Sequence, residues 1–180
     1  MSQELPFTSE FWKRLGEYLD KYRVGGHKLK VEPLGRTSYY GKIPDIVITD
    51  ERDFPQLIIE TKRKHDAGHE DLYDPLGKAP IAQALCYASL AMEHYNMERT
   101  PLFSTANRDV IFIFKGIEKE ELKDLVDINV CKDRHPTPED WERALKPGGY
   151  IKLISQGYLL ERLEGPLKED TIKRLFDEFG

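Results

Sequence analysis

Apolar positions recur at helical spacing from Thr8 to Tyr22, where Phe11, Leu15, Tyr18 and Leu19 form one stripe. This spacing predicts a first helix, capped by Thr8 or Ser9 with Glu10 in its first turn. Lys28-Leu29-Lys30-Val31-Glu32 alternates like a half-buried strand that Pro33 closes. Two β-branched runs follow, Ile46-Val47-Ile48-Thr49 and Leu57-Ile58-Ile59, joined by the polar stretch Asp50 to Pro55, and they predict a hairpin. After a polar loop from Arg63 to Lys78, Pro80 opens a helix that runs to about Asn96. Pro101 to Thr105 and Val110 to Phe114 read as two more strands around the turn Asn107-Arg108-Asp109.

The pattern weakens after Asp127. Glu118 to Val126 predicts a short helix, and Thr137-Pro138-Glu139-Asp140 is a helix start that Pro147-Gly148-Gly149 ends. Tyr150 to Ile154 fits strand or helix equally, and Gly165-Pro166 precedes a last helix with Leu167, Ile172, Leu175, Phe176 and Phe179 as apolar positions. Strands interleaved with helices imply an α/β layer fold: a central mixed β-sheet flanked by helices, with a mostly helical C-terminal extension. We divide the chain into a core, 1–127, and an extension, 128–180, whose role the sequence leaves open.

With 180 residues the chain is long enough for one domain with a real core. The hydrophobic share of 39% and the charged share of 33% mark a folded chain and not a disordered one. No apolar run is long enough for a membrane span, and the N-terminus lacks the pattern of a signal peptide. Cys86 and Cys131 make no disulfide framework, Cys86 reading as a buried thiol, and a cytoplasmic location is expected. The net charge of −5 counts mildly against avid nonspecific binding to nucleic acid, which rests on neutralising phosphates. Lys62-Arg63-Lys64-His65, with Arg36 and Lys42, is the best local basic patch.

The hairpin carries the candidate chemistry. Asp45 opens its first strand, and Glu60 and Lys62 end its second, 15 and 17 residues later. Alternation sends Glu60 and Lys62 to one face, and hairpin pairing sets Asp45 near Glu60. Two carboxylates and an ammonium at one sheet edge suit Mg²⁺, which takes one or two carboxylates plus water and substrate phosphate. On the next helix Gln83 and Tyr87, four apart, share a face.

The order Pro44-Asp45 … Glu60-Thr61-Lys62 … Gln83-x-x-x-Tyr87 resembles the PD-(D/E)XK nuclease superfamily. It is most similar to the N-terminal nuclease domain of type I restriction-enzyme R subunits, which is RecB-like with a QxxxY motif. The likeness covers about residues 9 to 115. It implies a restriction-endonuclease-like core that hydrolyses DNA phosphodiester bonds, of restriction type and endonucleolytic. By the resemblance, Asp45 and Glu60 bind Mg²⁺, for which Mn²⁺ substitutes, with the Thr61 carbonyl as a further ligand. Lys62 positions water or stabilises the transition state, while Gln83 and Tyr87 face the site. A first-helix glutamate completes the metal shell. Of Glu10 and Glu17, on nearly the same face, Glu17 is preferred because Glu10 serves the helix N-terminus. DNA is the implied partner, with a motor or methyltransferase module or subunit beside it in that family.

Other readings remain open in the sequence. A Holliday-junction-type resolvase shares the metal motif, and a non-catalytic DNA-binding or assembly module shares the fold. Asp45 as a turn residue, Glu60 and Lys62 as an ion pair, and Gln83 and Tyr87 as packing are the structural alternatives. His65, Asp66, His69, Glu70 and Asp71 hold two histidines four apart, but they lie in a loop without HExxH, which argues against zinc.

Overall fold

The computed structural model describes residues 6–62, 74–135 and 137–179. The elements are α1 (Phe7–Lys21), β1 (Lys30–Val31), β2 (Ile46–Thr49), β3 (Pro55–Thr61), α2 (Lys78–His94), β4 (Leu102–Ala106) and β5 (Val110–Phe114). The chain continues through α3 (Lys119–Leu122), α4 (Ile128–Cys131), α5 (Pro138–Glu142), α6 (Gly149–Ser155), β6 (Leu159–Glu164) and α7 (Glu169–Asp177).

Among the described residues the strands form one six-stranded sheet in the order β1-β2-β3-β4-β5-β6. All neighbours are antiparallel except β3 and β4, which run parallel with Glu60 opposite Thr105 and Thr61 opposite Ala106. A parallel pair needs a crossover connection, and α2 lies on the path between β3 and β4. The sheet is therefore mixed and flanked by helices, as the hydrophobic pattern predicts. The hairpin forms as expected, with Ile46 opposite Ile59 and Val47 opposite Ile58. Pro55 is the first residue of β3, a strand position that tolerates a missing N–H.

Alternation along the strands feeds two cores. Val47, Ile58, Phe103, Phe112 and Phe114 face α2. Ile46, Ile48, Leu57, Ile59, Ile111 and Ile113 face Phe11, Leu15 and Leu19 of α1 and Ile172, Leu175 and Phe176 of α7. Burial on both faces explains why β2, β3 and β5 read as near-continuous apolar runs. No helix among the described residues is long and apolar enough to cross a membrane.

Several expectations need correction. Helix α1 starts at Phe7 with Pro6 as its N-cap, so Thr8 lies inside the first turn and neither it nor Ser9 caps. The strand expected over 28–32 is confined to Lys30–Val31. Tyr150 to Ile154 belongs to a helix, α6. The extension also contributes a strand that the sequence reading missed. Segment β6 pairs along β5, and of its residues only Leu163 is buried, which leaves little apolar alternation to detect. Finally, Cys86 is not a free thiol. It is joined to Cys131, with the two Cα atoms 5.2 Å apart, tying α2 to α4 across 45 residues. No local spacing reveals such a pairing, because only the tertiary fold brings α4 against α2.

The extension packs onto both cores. Trp141, Ala144, Leu145, Leu153 and Tyr158 join the α2 side, and α7 joins the α1 side. Its α5 begins with a capping box, Thr137 and Asp140 bonding each other's backbone. Tyr150 of α6 donates to the Leu76 carbonyl at 2.6 Å, holding the chain just before α2.

Candidate active site

Because β3 and β4 run parallel, their C-terminal ends reach the same sheet edge, and the Lys62 N–H donates to the Ala106 carbonyl there at 2.7 Å. Asp45, at the start of β2, meets the end of β3 at this edge. The Thr61 N–H donates to Asp45 Oδ2 at 2.9 Å and the Thr61 hydroxyl donates to the same oxygen at 3.0 Å. The hairpin thus brings the two motifs together as the sequence spacing implies.

Glu60 points to the α2 side, as Ile58 does, and its residue is only 3% exposed. Lys62 lies on the same side, its Nζ 3.5 Å from Glu60 Oε1. Glu60 Oε2 is buried and has no hydrogen-bond partner. Burial first, then the adjacent Asp45 charge, holds the Glu60 carboxyl well above the usual carboxylate range, against the pull of Lys62. A buried carboxylate oxygen without a partner is costly, and it is the kind of group that a cation satisfies.

Helix α2 supplies the other half of the site. Lys62 Nζ donates to Gln83 Oε1 at 2.9 Å, and Gln83 Nε2 donates to the Tyr87 hydroxyl at 3.0 Å. Lysine can only donate, so this chain fixes the amide orientation and leaves the tyrosine proton directed onward. Burial, then the Glu60 charge, raises the Tyr87 phenol above its usual range and keeps it protonated. The Tyr87 ring meets Trp141 edge-on at 5.3 Å, and Trp141 stacks on His135 at 3.8 Å. The extension therefore braces the site from behind. Nothing in the sequence around Trp141 signals this role, since the contact spans two distant helices.

The expected residues do not all converge. Asp45, Glu60, Thr61, Lys62, Gln83 and Tyr87 form one connected cluster. Glu17 does not join it: it is exposed, and it lines a groove with Tyr18, Lys21, Glu169 and Ile172. With a rise of ~1.5 Å per residue, it lies roughly 13 Å along α1 from Thr8, the α1 residue that contacts Thr61. Glu10 is half-buried and pairs with Arg108 Nη1 at 2.9 Å. Lys42 of the expected basic patch donates to the Asp133 carbonyl at 2.6 Å and so serves the extension, while Arg36 is exposed in a loop. Arg63, Lys64, His65, Asp66, His69, Glu70 and Asp71 lie outside the described residues. Among the described residues no group of three or more His, Cys, Asp or Glu side chains gathers as a metal cage. A pair of carboxylates with one unpartnered buried oxygen still fits Mg²⁺, which keeps several waters and rarely uses an all-protein cage.

Sequence reasoning missed two contributors besides Trp141. Thr8 contacts the Thr61 hydroxyl through its own, where the sequence reading had it as a cap. Arg108, noticed only as a turn residue, reaches Glu10 and the Phe7 ring.

No family model matches the chain, and no curated protein matches it. Among solved structures it is similar to the type IIG restriction endonuclease BpuSI, with a TM-score of 0.46 and 14% sequence identity. The similarity covers 86% of this chain and 17% of that one, so the chain spans about a sixth of that enzyme's length.

Proposed function

We propose that this chain is a metal-dependent deoxyribonuclease that hydrolyses phosphodiester bonds, endonucleolytic and of restriction type. The observation that carries the reading is the buried, unpartnered Glu60 Oε2 beside Asp45, with the Lys62 ammonium 3.5 Å from the other Glu60 oxygen. A solvent-facing ion pair would not be buried in this way, and a turn aspartate would not share its surroundings with a second carboxylate.

Asp45 and Glu60 would hold Mg²⁺ or Mn²⁺, with the Thr61 carbonyl as a further oxygen donor. When bound, the ion polarises a phosphoryl oxygen and makes its water more acidic. Every other part of the chemistry belongs to the chain. The Lys62 ammonium, steadied by Gln83, offsets negative charge that develops on the phosphate as water attacks, or orients that water. Gln83 stops Lys62 from collapsing fully onto Glu60, because it offers a second acceptor at 2.9 Å. DNA is the partner that this chemistry requires.

Cleavage of supercoiled plasmid and of linear single- and double-stranded DNA, with Mg²⁺ or Mn²⁺ and with chelator, tests the reading. The expected result is metal-dependent nicking that Glu60→Gln and Lys62→Ala both abolish. A folded wild-type protein that cuts none of these substrates with either metal refutes it.

A further inference from the structure

Asp45 is held by more than its place in the hairpin. Both bonds from Thr61, through its N–H and its hydroxyl, fall on a single carboxylate oxygen, Oδ2. A hydroxyl has one proton, and that of Thr61 is committed to Asp45. The Thr8 hydroxyl, which contacts Thr61 Oγ1, is therefore the donor in that pair. The result is a directed chain: Thr8 to Thr61 to Asp45. It runs from the first turn of α1, across the α1 side of the sheet, to the carboxylate that faces Glu60.

Strand alternation explains why Thr61 is available for this. Glu60 and Lys62 look toward α2, so the residue between them looks toward α1. Thr61 is 8% exposed and buried under that helix, where a hydroxyl needs partners on both sides. Asp45 provides one and Thr8 the other. With Oδ2 occupied twice, rotation of the Asp45 carboxylate is restricted, and Oδ1 is the oxygen left for another partner.

We infer that the Thr61 hydroxyl, backed by Thr8, is a positioning group that presents Asp45 Oδ1 to a divalent cation at the sheet edge. This deepens the nuclease reading and rests on it. Partners that orient a metal-ligating carboxylate typically matter about tenfold or more in metal affinity. The Thr61 side chain therefore has a role separate from the backbone carbonyl of the same residue.

The test is calorimetric titration of Mn²⁺ into wild type, Thr61→Val, Thr61→Ser, Thr8→Val and Glu60→Gln, with plasmid nicking measured across Mg²⁺ concentration. Circular dichroism and melting check that each variant is folded. Thr61→Val should weaken Mn²⁺ binding by about tenfold and raise the half-saturating Mg²⁺ to match, with the rate at saturating metal nearly restored. Thr61→Ser keeps the hydroxyl and should bind as wild type does, and Thr8→Val should shift in the same direction as Thr61→Val but less. Unchanged affinity in Thr61→Val overturns the inference. So does a Thr61→Ser as weak as Thr61→Val, since the loss would then not follow the presence of the hydroxyl. Should Thr61→Val fail to fold, Thr8→Val decides by the same readout. In these outcomes wild type binds Mn²⁺ and nicks plasmid and Glu60→Gln does neither, so the nuclease reading stands. A wild type that binds no Mn²⁺ removes that reading and this inference with it.

Discussion

Helices α1 and α2 cover opposite faces of the same sheet, yet they carry information in opposite ways. In α1 the buried positions are Phe7, Phe11, Leu15 and Leu19, Trp12 and Tyr18 are half-buried against the same core, and the outer face is charged. In α2 every position from Ala79 to Met92 is buried except Gln83. On α1 a glutamate is the expected occupant of a solvated face, so its presence says nothing about chemistry. On α2 a half-exposed glutamine interrupts a wall of apolar side chains, and it does so where the Lys62 ammonium needs an acceptor. A polar residue is informative in proportion to how poorly its surroundings account for it.

The strongest way to break this contrast is to remove the exception. Among the described residues Gln83→Ala leaves Lys62 with Glu60 as its acceptor, and a hydrogen bond to a charged group is worth about 1.5–3 kcal/mol. We expect nicking to slow by roughly 10- to 100-fold, with the melting temperature little changed, because Gln83 is not packed in the core. Tyr87→Phe deletes a neutral hydrogen bond one step further from Lys62 and should cost only about fivefold. Steady-state nicking rates at saturating Mg²⁺ would rank the two. Equal losses, or a larger loss at Tyr87, would mean that α2 acts on the site through packing and not through the amide.

Glu60 provides the next test, because it is polar, buried and lacks a partner for one oxygen. Its carboxyl is held well above the ordinary 4.5, by burial first and by Asp45 second. The folded state thus keeps a proton that the unfolded chain gives up, in the window from 4.5 up to the raised folded value. Across that window the unfolded state binds fewer protons, so stability falls as pH rises. Glu60→Gln cannot ionise and escapes this loss. In chelator it should melt above wild type at pH 8, and the margin should shrink at pH 5. Adding Mn²⁺ should reverse the order, because binding to the folded wild type stabilises it by mass action. A margin at pH 8 no larger than that at pH 5 would show that Glu60 is ionised at no cost, and the site would be wetter than its burial indicates.

These residues also mark how far the sequence could be read. The hairpin was legible because β2 and β3 are buried on both faces and bounded by turn residues. That alone placed Asp45 beside Glu60 and sent Glu60 and Lys62 to one side. Gln83 and Tyr87 were legible because four-residue spacing on a helix fixes a shared face. Strand β6 was not, since an edge strand with one buried side chain has almost no pattern to find. The Cys86–Cys131 link and the Trp141 brace were hidden for another reason: each joins α2 to the extension, and no spacing rule reaches across 45 or more residues. Thr8 was misread because the residue type that suits a cap also suits a buried hydroxyl relay, and only Pro6 taking the cap position tells them apart.

The smallest expected effect falls on α1, where the resemblance asks for a glutamate and the geometry does not bring Glu17 to the cluster. Glu17 is exposed over the groove toward α7, so Glu17→Ala should change stability by no more than about 0.5 kcal/mol and leave the half-saturating Mg²⁺ where it was. Glu10 is different, because its carboxylate pairs with Arg108, which also lies over the Phe7 ring at the start of α1. Glu10→Gln should therefore disturb the seating of the first turn, and through Thr8 weaken metal binding slightly. The pair of variants separates two accounts of α1. If the helix acts by delivering a ligand from its charged face, Glu17→Ala weakens metal binding by tenfold or more, as the loss of a carboxylate ligand requires. If it acts by where its first turn sits, Glu17→Ala is silent and Glu10→Gln shows the small shift. The second pattern is the expected one, because the α1 contact with the site runs through the Thr8 and Thr61 hydroxyls and not through the charged face.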